Sequence, residues 1–138
     1  MLLTWNNAFY RYGVFDFNKL EKALIKNFKK IKNFRNRDIF SLSNCDEDEI
    51  KHLFNGFLEA LQIDSGKKKG TKSPVAVAKA LHLLVLSFFP LCDDKIARVY
   101  GCYYNKQPAE KYFLFCRITK LHIKLRIILL NRKKHLLS

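Results

Sequence analysis

The stretch SPVAVAKALHLLVLSFFP, Ser73–Pro90, decides the fold expected of this chain. Serine is a favoured N-cap and proline suits the first helical position, so a helix is predicted to begin at Pro74. The residues that follow are apolar on nearly every side up to about Leu86, which predicts a central, buried helix. Lys79 and His82 interrupt the run, and a bilayer span needs about 20 apolar residues, so we expect a core helix.

Capping patterns and apolar periodicity predict two further helices upstream. Asn18 with Glu21, and Asn44 with Glu47, have the spacing of a capping box, in which side chains satisfy backbone N–H groups reciprocally. Apolar residues then recur three and four positions apart, as on the buried face of a helix. These residues are Leu20, Leu24, Phe28 and Ile31 in the first helix, and Ile50, Leu53, Phe54, Phe57, Leu58 and Leu61 in the second.

The residues after Pro90 continue the helical organisation. A short helix is predicted in DDKIARVYG, with Gly101 as its C-cap, and another helix is predicted to begin near Pro108. Because helices follow one another along the chain and no strand pairs are evident, the expected fold class is all-α. We expect a single compact multi-helix domain over residues 1–120.

Residues 121–138 form a basic tail that differs from the rest of the chain. From Lys111 onward there are eight basic residues and no acidic one. In LHIKLRIIL, Leu121–Leu129, apolar and basic residues alternate with the period of a strand. No partner strand is evident, so the tail is expected to be an extension of the preceding helix, an edge strand or a disordered segment.

The net charge indicates the kind of partner. Twenty-six Lys and Arg residues stand against twelve Asp and Glu residues, giving +14, which favours an anionic partner because neutralising phosphates releases counterions. Eight cations and one acid lie in Lys19–Arg37. Four more lysines lie in the loop DSGKKKGTKS, ahead of a helix N-terminus whose N–H groups and dipole also favour an anion. Phosphate contacts are expected from Lys67, Lys68, Lys69, Lys72 and Ser73, and the alternative is a solvated face beside a mobile loop.

Cysteine spacing and the N-terminal sequence point to an intracellular chain. No zinc-binding spacing links the four cysteines, and no metal or other cofactor is expected. MLLTWNNAF lacks the basic residues and long apolar run of a secretory signal, so a cytoplasmic protein with reduced thiols is expected. The cysteines are Cys45, Cys92, Cys102 and Cys116.

The segment Gly70–Gly101 resembles the core of the helix-hairpin-helix DNA glycosylases. In that family a glycine-rich hairpin with a lysine opens an apolar helix, and an aspartate-bearing turn of the type PVDTHVxR follows. Here GTK, Gly70–Lys72, stands at the hairpin and PLCDDKIAR, Pro90–Arg98, stands at the turn. The sequence departs from the family at the hairpin, where KKKG replaces an apolar–proline–glycine lead-in. It departs again at the turn, where a second aspartate and a lysine replace Thr-His.

The resemblance implies roles for individual residues. Lys72 would be the nucleophile that attacks the sugar C1′ after a base is flipped out, as in the bifunctional members, and Asp93 would stabilise the developing positive charge or activate the nucleophile. Lys79, on the apolar helix, is a further candidate for catalysis. Arg98 matches the family arginine and would contact nucleic acid. The resemblance also favours DNA over RNA.

Two functions remain open from the sequence. One is a nucleic-acid-binding helical protein related to base-excision glycosylases. The other is a non-enzymatic interaction protein whose basic surface binds an acidic partner or a membrane surface. The pattern KALHLL…FPLxDxxIA is also similar to a family of uncharacterised helical proteins that carry a tryptophan where Cys92 stands, and that likeness implies no chemistry. Neither an enzymatic activity nor an oligomeric state is predicted.

Overall fold

The structure, a computed structural model, describes residues 9–100 and 106–137, which contain helices and no strand. The all-α, single-domain fold predicted from the sequence is confirmed. Gly101, the predicted C-cap, lies outside the described residues. The helices are α1 Phe17–Lys26, α2 Phe28–Arg35, α3 Glu47–Ala60, α4 Pro74–Leu84, α5 Asp94–Val99 and α6 Pro108–Leu137, with 3₁₀ turns at Phe9–Tyr12, Ile39–Ser41 and Asn44–Asp46.

The helix predicted from Ser73–Pro90 forms as expected. The Ser73 hydroxyl accepts the N–H of Ala76 at 3.1 Å, and Pro74 is the first helical residue. All residues from Ala76 to Leu81 are buried, including Lys79, whose relative exposure is 9%. His82 Nδ1 lies 2.8 Å from the carbonyl oxygen of Phe89 beyond the end of the helix. α4 is therefore a core helix, with its histidine hydrogen-bonded at the rim.

The cap of α1 and the capping box that precedes α3 lie upstream of their predicted positions. Asp16, not Asn18, caps α1, and its Oδ1 accepts the N–H of Asn18 at 2.8 Å. Before α3, the capping box joins Ser43 to Asp46, whose Oδ2 accepts the Ser43 N–H at 2.9 Å. The predicted boxes at Asn18 and Asn44 are therefore wrong. At α1, Asp16 precedes Asn18 and accepts its N–H group. Before α3, the box forms one residue earlier than predicted, on the 3₁₀ turn, with Asp46 in place of Glu47 accepting the N–H of the cap residue.

α3 lies at the centre of the domain and packs against α1, α4 and α6. Most of the predicted stripe is buried: Ile50, Leu53, Phe54, Phe57 and, just after the helix, Leu61, whereas Leu58 is only partly buried. Phe54 stacks on Tyr112 of α6 with ring centroids 4.9 Å apart. A second aromatic group joins α2 to the segment after α4. The ring centroid of Phe34 lies 4.7 Å from that of Phe88 and 5.1 Å from that of Phe89. The core is thus continuous from α1 to the first half of α6.

The C-terminal basic tail is helical. α6 passes residue 120 without interruption and ends at Leu137, so the helix extension is what the structure shows, not an edge strand or a disordered tail. A helix satisfies its own backbone hydrogen bonds and needs no neighbouring strand, which explains why the period-2 alternation did not decide the structure. In the described part of the chain, no helix combines the length and apolarity that crossing a membrane requires.

Arg37 joins three parts of the fold. Its Nη1 and Nη2 donate to the two carboxylate oxygens of Asp46 at 2.8 and 2.7 Å, and its Nε donates to the Ser41 hydroxyl at 3.0 Å. The guanidinium also lies over the rings of Phe34 and Phe88, 5.5 and 5.0 Å from their centroids. We call this arrangement the Arg37 clamp. It fixes the end of α2, the turns before α3 and the aromatic segment after α4.

The clamp changes the ionisation of Asp46. Asp46 is buried, and the hydrogen bonds from Arg37 hold the pKa of its carboxyl below the usual range. A bidentate pair between a guanidinium and a carboxylate is stronger than a neutral hydrogen bond. Arg37 therefore has a structural role and is not free to contact a phosphate, although the sequence placed it at the end of the cationic segment.

Replacing Arg37 should lower the stability of the protein. Arg37→Met leaves the buried Asp46 carboxylate without its main hydrogen-bond donors, and we expect a loss of about 2 kcal/mol in the free energy of unfolding. Urea denaturation measures this loss of free energy of unfolding. Lys32→Met removes an exposed cation of α2 and should change stability by less than about 0.5 kcal/mol. Equal effects of the two substitutions would contradict a structural role for the clamp.

The Arg37–Asp46 pair also predicts that the stability of the protein depends on pH. Because the pKa of Asp46 is lowered in the folded state, its contribution is complete above its unfolded pKa, near 3.9, and is lost as the pH falls through the lowered value. Asp46→Asn should therefore destabilise the protein more at about pH 6 than at about pH 2. Chemical denaturation at the two pH values measures the difference. A destabilisation that is equal at both would argue against an ionic contribution.

Candidate nucleic-acid interface

The lysine-rich loop predicted to bind phosphate is held by backbone hydrogen bonds. The N–H of Ile63 donates to the Thr71 carbonyl at 2.9 Å, and the N–H of Gly70 donates to the Ile63 carbonyl at 2.7 Å. Gly66 and Gly70 have φ values of 79° and 88°, in the left-handed region that glycine adopts without strain. We call residues 64–71 the lysine loop. Its tip carries three exposed lysines: Lys67, Lys68 and Lys69.

The N-terminal segment supports the base of this loop. The N–H of Asp64 donates to the Val14 carbonyl at 2.9 Å. Next to it, Gly13 approaches the loop so closely that an added Cβ would lie 2.8 Å from the carbonyl oxygen of Ser65. Since a backbone oxygen cannot move aside as a side chain can, residue 13 must be small. The position of the lysine loop therefore depends on a contact with a segment about 50 residues earlier in the chain.

A row of lysines follows one side of α1 and α2. The helical hydrogen bonds continue through Asn27, whose N–H donates to the Ala23 carbonyl at 3.1 Å and whose carbonyl accepts from Ile31 at 2.9 Å. Each of these lysines lies three or four residues from another one, which places them on one stripe about 16 Å long. We call it the lysine face, and its members are Lys19, Lys22, Lys26, Lys29 and Lys30.

One ion pair joins the lysine face to the lysine loop, and a second lies at the C-terminal end of the loop. Lys19 Nζ lies 3.3 Å from Asp64 Oδ1 at the start of the loop. Lys72, directly after the loop, pairs with Glu59 near the end of α3. Lys19, Lys22 and Glu59 also line one shallow groove of about 320 Å³ between α1 and α3. The two cationic segments, far apart in the sequence, thus meet at the Lys19–Asp64 contact, and we call the lysine face, the lysine loop and the groove beside them the lysine surface.

The lysine surface keeps an excess of positive charge. Its carboxylates are Glu21, Glu59 and Asp64, and the lysines of the face and the loop outnumber them. All of the ion pairs in it are partly exposed to solvent, so each contributes little to stability and exchanges readily with other anions. The cations of this surface are therefore available to a polyanion.

The N-terminus of α4 offers fewer donors than the sequence suggested. The Ser73 hydroxyl already accepts the Ala76 N–H, and Pro74 has no N–H. The next amide, that of Val77, donates to the Ser73 carbonyl at 3.3 Å. A phosphate at this helix end would thus meet the N–H of Val75 alone among the first-turn amides. Contacts to an anion here would come mainly from lysine side chains.

The residues singled out by the glycosylase resemblance have separate surroundings. Lys72 pairs with Glu59, and Asp93 caps α5 by accepting the N–H of Ile96 at 2.8 Å. Lys79 is buried in α4, and Arg98 is exposed on α5. The ion pairs described for residues 9–100 and 106–137 do not join Lys72 to Asp93. A nucleophile activated by a carboxylate would need the two side chains within hydrogen-bond reach of each other.

Comparisons of the chain with protein-family models, with curated proteins and with solved structures found no match. In the ranges that the structure describes, no three His, Cys, Asp or Glu side chains come together as a metal site would require.

Sequence reasoning found the lysines of this surface but not the contacts that assemble it. Glu59 and Asp64 gave no sign of their role, because their partners lie 13 and 45 residues away along the chain. Gly13 could have been suspected only from its position between aromatic residues. Sequence reasoning also counted Arg35 and Arg37 with the cationic segment, but both make hydrogen bonds within the protein. Arg35 Nε donates to the Leu84 carbonyl at 2.9 Å, and Arg37 Nε donates to the Ser41 hydroxyl.

Two glycine substitutions should have opposite effects on stability. Gly13→Ala places a methyl group against the Ser65 carbonyl and should destabilise the protein by about 1–3 kcal/mol. Gly56→Ala lies within α3, where the new Cβ meets Asn27 Nδ2 at an ordinary 3.7 Å, and should stabilise the helix by up to about 1 kcal/mol. Thermal denaturation compares the stability of the two variants with that of the unaltered protein. A stable Gly13→Ala variant would show that the N-terminal segment does not support the lysine loop.

Proposed function

We propose that this protein binds nucleic acid through its lysine surface and contacts mainly the phosphate backbone. The observation that carries the proposal is the joining of the lysine face to the lysine loop by the Lys19–Asp64 contact and the groove beside it. Lysine is a flexible point charge suited to phosphates, so the expected binding is strong at low salt and tolerant of sequence. Duplex DNA is the substrate class to test first.

A surface of this kind works by releasing counterions. A stripe of lysines about 16 Å long spans several phosphates of one strand, and the exposed lysines at the loop tip extend the contact area. The cations of the lysine surface are all lysines, and lysine lacks the planar, bidentate group of arginine that direct reading of base edges would favour. The protein would therefore recognise the polyanion rather than a particular sequence.

The proposal does not include base excision. Asp93 is engaged as the cap of α5, and Lys72 is engaged with Glu59, so neither contact supports a nucleophile–carboxylate pair. The proposed contact of the lysine surface with phosphates needs no such step.

Salt titration of DNA binding tests the proposal. Fluorescence anisotropy with a labelled duplex should detect binding near 50 mM salt that weakens steeply toward 200 mM, with a linear log–log slope. Substituting Lys67, Lys68 and Lys69 together by Gln removes three cations from the loop tip and should flatten that slope by up to about three.

The matched control removes the same charge from a different place. Arg132→Gln, Lys133→Gln and Lys134→Gln act together at the far end of α6, away from the lysine surface, and should leave the slope close to that of the unaltered protein. An equal loss in both triple variants would show that net charge alone drives binding. No measurable binding near 50 mM salt would end the proposal.

A further inference from the structure

The second half of α6 extends beyond the packed domain. The buried residues of this helix all lie between Ala109 and Cys116. From Lys124 to Leu137 every residue is exposed, a length of about 20 Å at 1.5 Å per residue. We call this the projecting segment. A lone helix of this length is marginal in water, and most helical stability in proteins comes from packing an apolar face.

An apolar seam follows one side of α6 and enters the projecting segment. Its residues are separated by alternating steps of four and three, the spacing of the a and d positions in a coiled coil. Most of it is exposed, with relative exposures of 43% for Leu114, 59% for Leu121 and 51% for both Leu125 and Ile128. A contiguous exposed row of large aliphatic side chains is typical of an interaction surface. The seam consists of Leu114, Ile118, Leu121, Leu125 and Ile128.

The seam begins in a cleft on the body of the protein. The segment Leu42–Asn44 faces Leu114, Ile118 and Leu121 across a cavity of about 610 Å³. Lys120 Nζ donates to the Leu42 carbonyl at one wall of this cleft. A single helix can enter such a cleft, whereas the body would prevent a flat lipid surface from reaching its floor.

The rim of the cleft and of the seam is cationic. Arg117 and Lys124 line the cleft, and both occupy the heptad position before an a residue, where coiled coils place charges that select the partner. The ion pairs of the described residues include neither side chain. Glu110 is the last acidic residue of the sequence, and its Oε1 lies 3.9 Å from Nζ of Lys51 on α3.

These charges decide between the possible occupants. A second copy of α6 would bring the same helix, which has no acidic residue after Glu110, against this one, and like charges beside the seam would repel. Nucleic acid would satisfy the cations but leave the leucines exposed to water or phosphate. A helix with its own a and d leucines and with flanking glutamates satisfies both the apolar floor and the cationic rim.

We propose that the seam of α6, with its cleft and its flanking Arg117 and Lys124, binds an acidic amphipathic helix of a partner protein in the manner of a coiled coil. This docking site is separate from the lysine surface and does not rest on nucleic-acid binding.

A designed peptide tests the site. The probe is a labelled peptide of about four heptads with Leu at a and d and Glu at e and g, titrated with the full chain by fluorescence anisotropy. The unaltered protein should bind it, and a peptide with Lys in place of each Glu should bind at least about tenfold more weakly. Equal binding of the two peptides would overturn the charge argument and with it the proposal.

Two matched double variants locate the binding face. Leu125→Asp with Ile128→Asp alters the seam and should weaken binding by about tenfold or more. Ile127→Asp with Leu130→Asp changes one Ile and one Leu, also three residues apart and exposed, on the opposite side of the same helix. This second variant carries the same charge change and should keep the affinity of the unaltered protein. Equal losses in both variants would contradict the proposal.

A charge exchange provides an independent test. Arg117→Glu with Lys124→Glu should weaken binding of the Glu peptide and strengthen binding of the Lys peptide. Circular dichroism verifies that each variant keeps its helical content. Preferential self-association of the unaltered chain in sedimentation, or binding to phosphatidylserine vesicles that the seam variant loses while the Glu peptide fails to bind, would replace the acidic helix by a second copy or by a lipid surface and so overturn the proposal.

Discussion

The ionic contact between Arg37 and Asp46 ties the end of α2 to the turns before α3, beside the aromatic packing of Phe34 on Phe88 and Phe89. One guanidinium satisfies a buried carboxylate, a hydroxyl and two aromatic faces, and it thereby fixes the end of α2 against the start of α3. The position of α3 in turn sets those of α1, α4 and α6, which all pack on it. The surfaces discussed above are carried by elements whose relative positions depend on this contact.

The structure divides the large surplus of cations among different tasks. Arg37 is held in a half-buried ion pair with Asp46, and Arg35 donates to a carbonyl at the end of α4. Lysines of α1 and of the loop after α3 face solvent on one side of the domain, and those of α6 line an apolar seam on another element. A single net charge therefore describes several separate surfaces, and only their local surroundings distinguish a phosphate contact from a contact with a carboxylate.

The sequence predicts local features well and distant ones poorly. The start of α4 and the buried stripe of α3 follow from capping chemistry and periodicity, which involve residues a few positions apart. The caps of α1 and α3 were misplaced because neighbouring aspartates compete for the same N–H groups. Alternation in the tail suggested a strand, whereas the heptad spacing that starts at Leu114 was the informative period. The pairing of Lys19 with Asp64 depends on the folded chain and has no local signal.

The projecting segment also has a consequence for the lifetime of the molecule. Opening the last turns of α6 breaks almost no buried contacts, so this part should unfold locally at a much smaller free-energy cost than the core. Its many lysines and arginines are cleavage sites for trypsin-like proteases, which act on opened backbone. A helix docked on the seam would protect those bonds. Degradation from the C-terminal end would then remove preferentially the copies that have no partner.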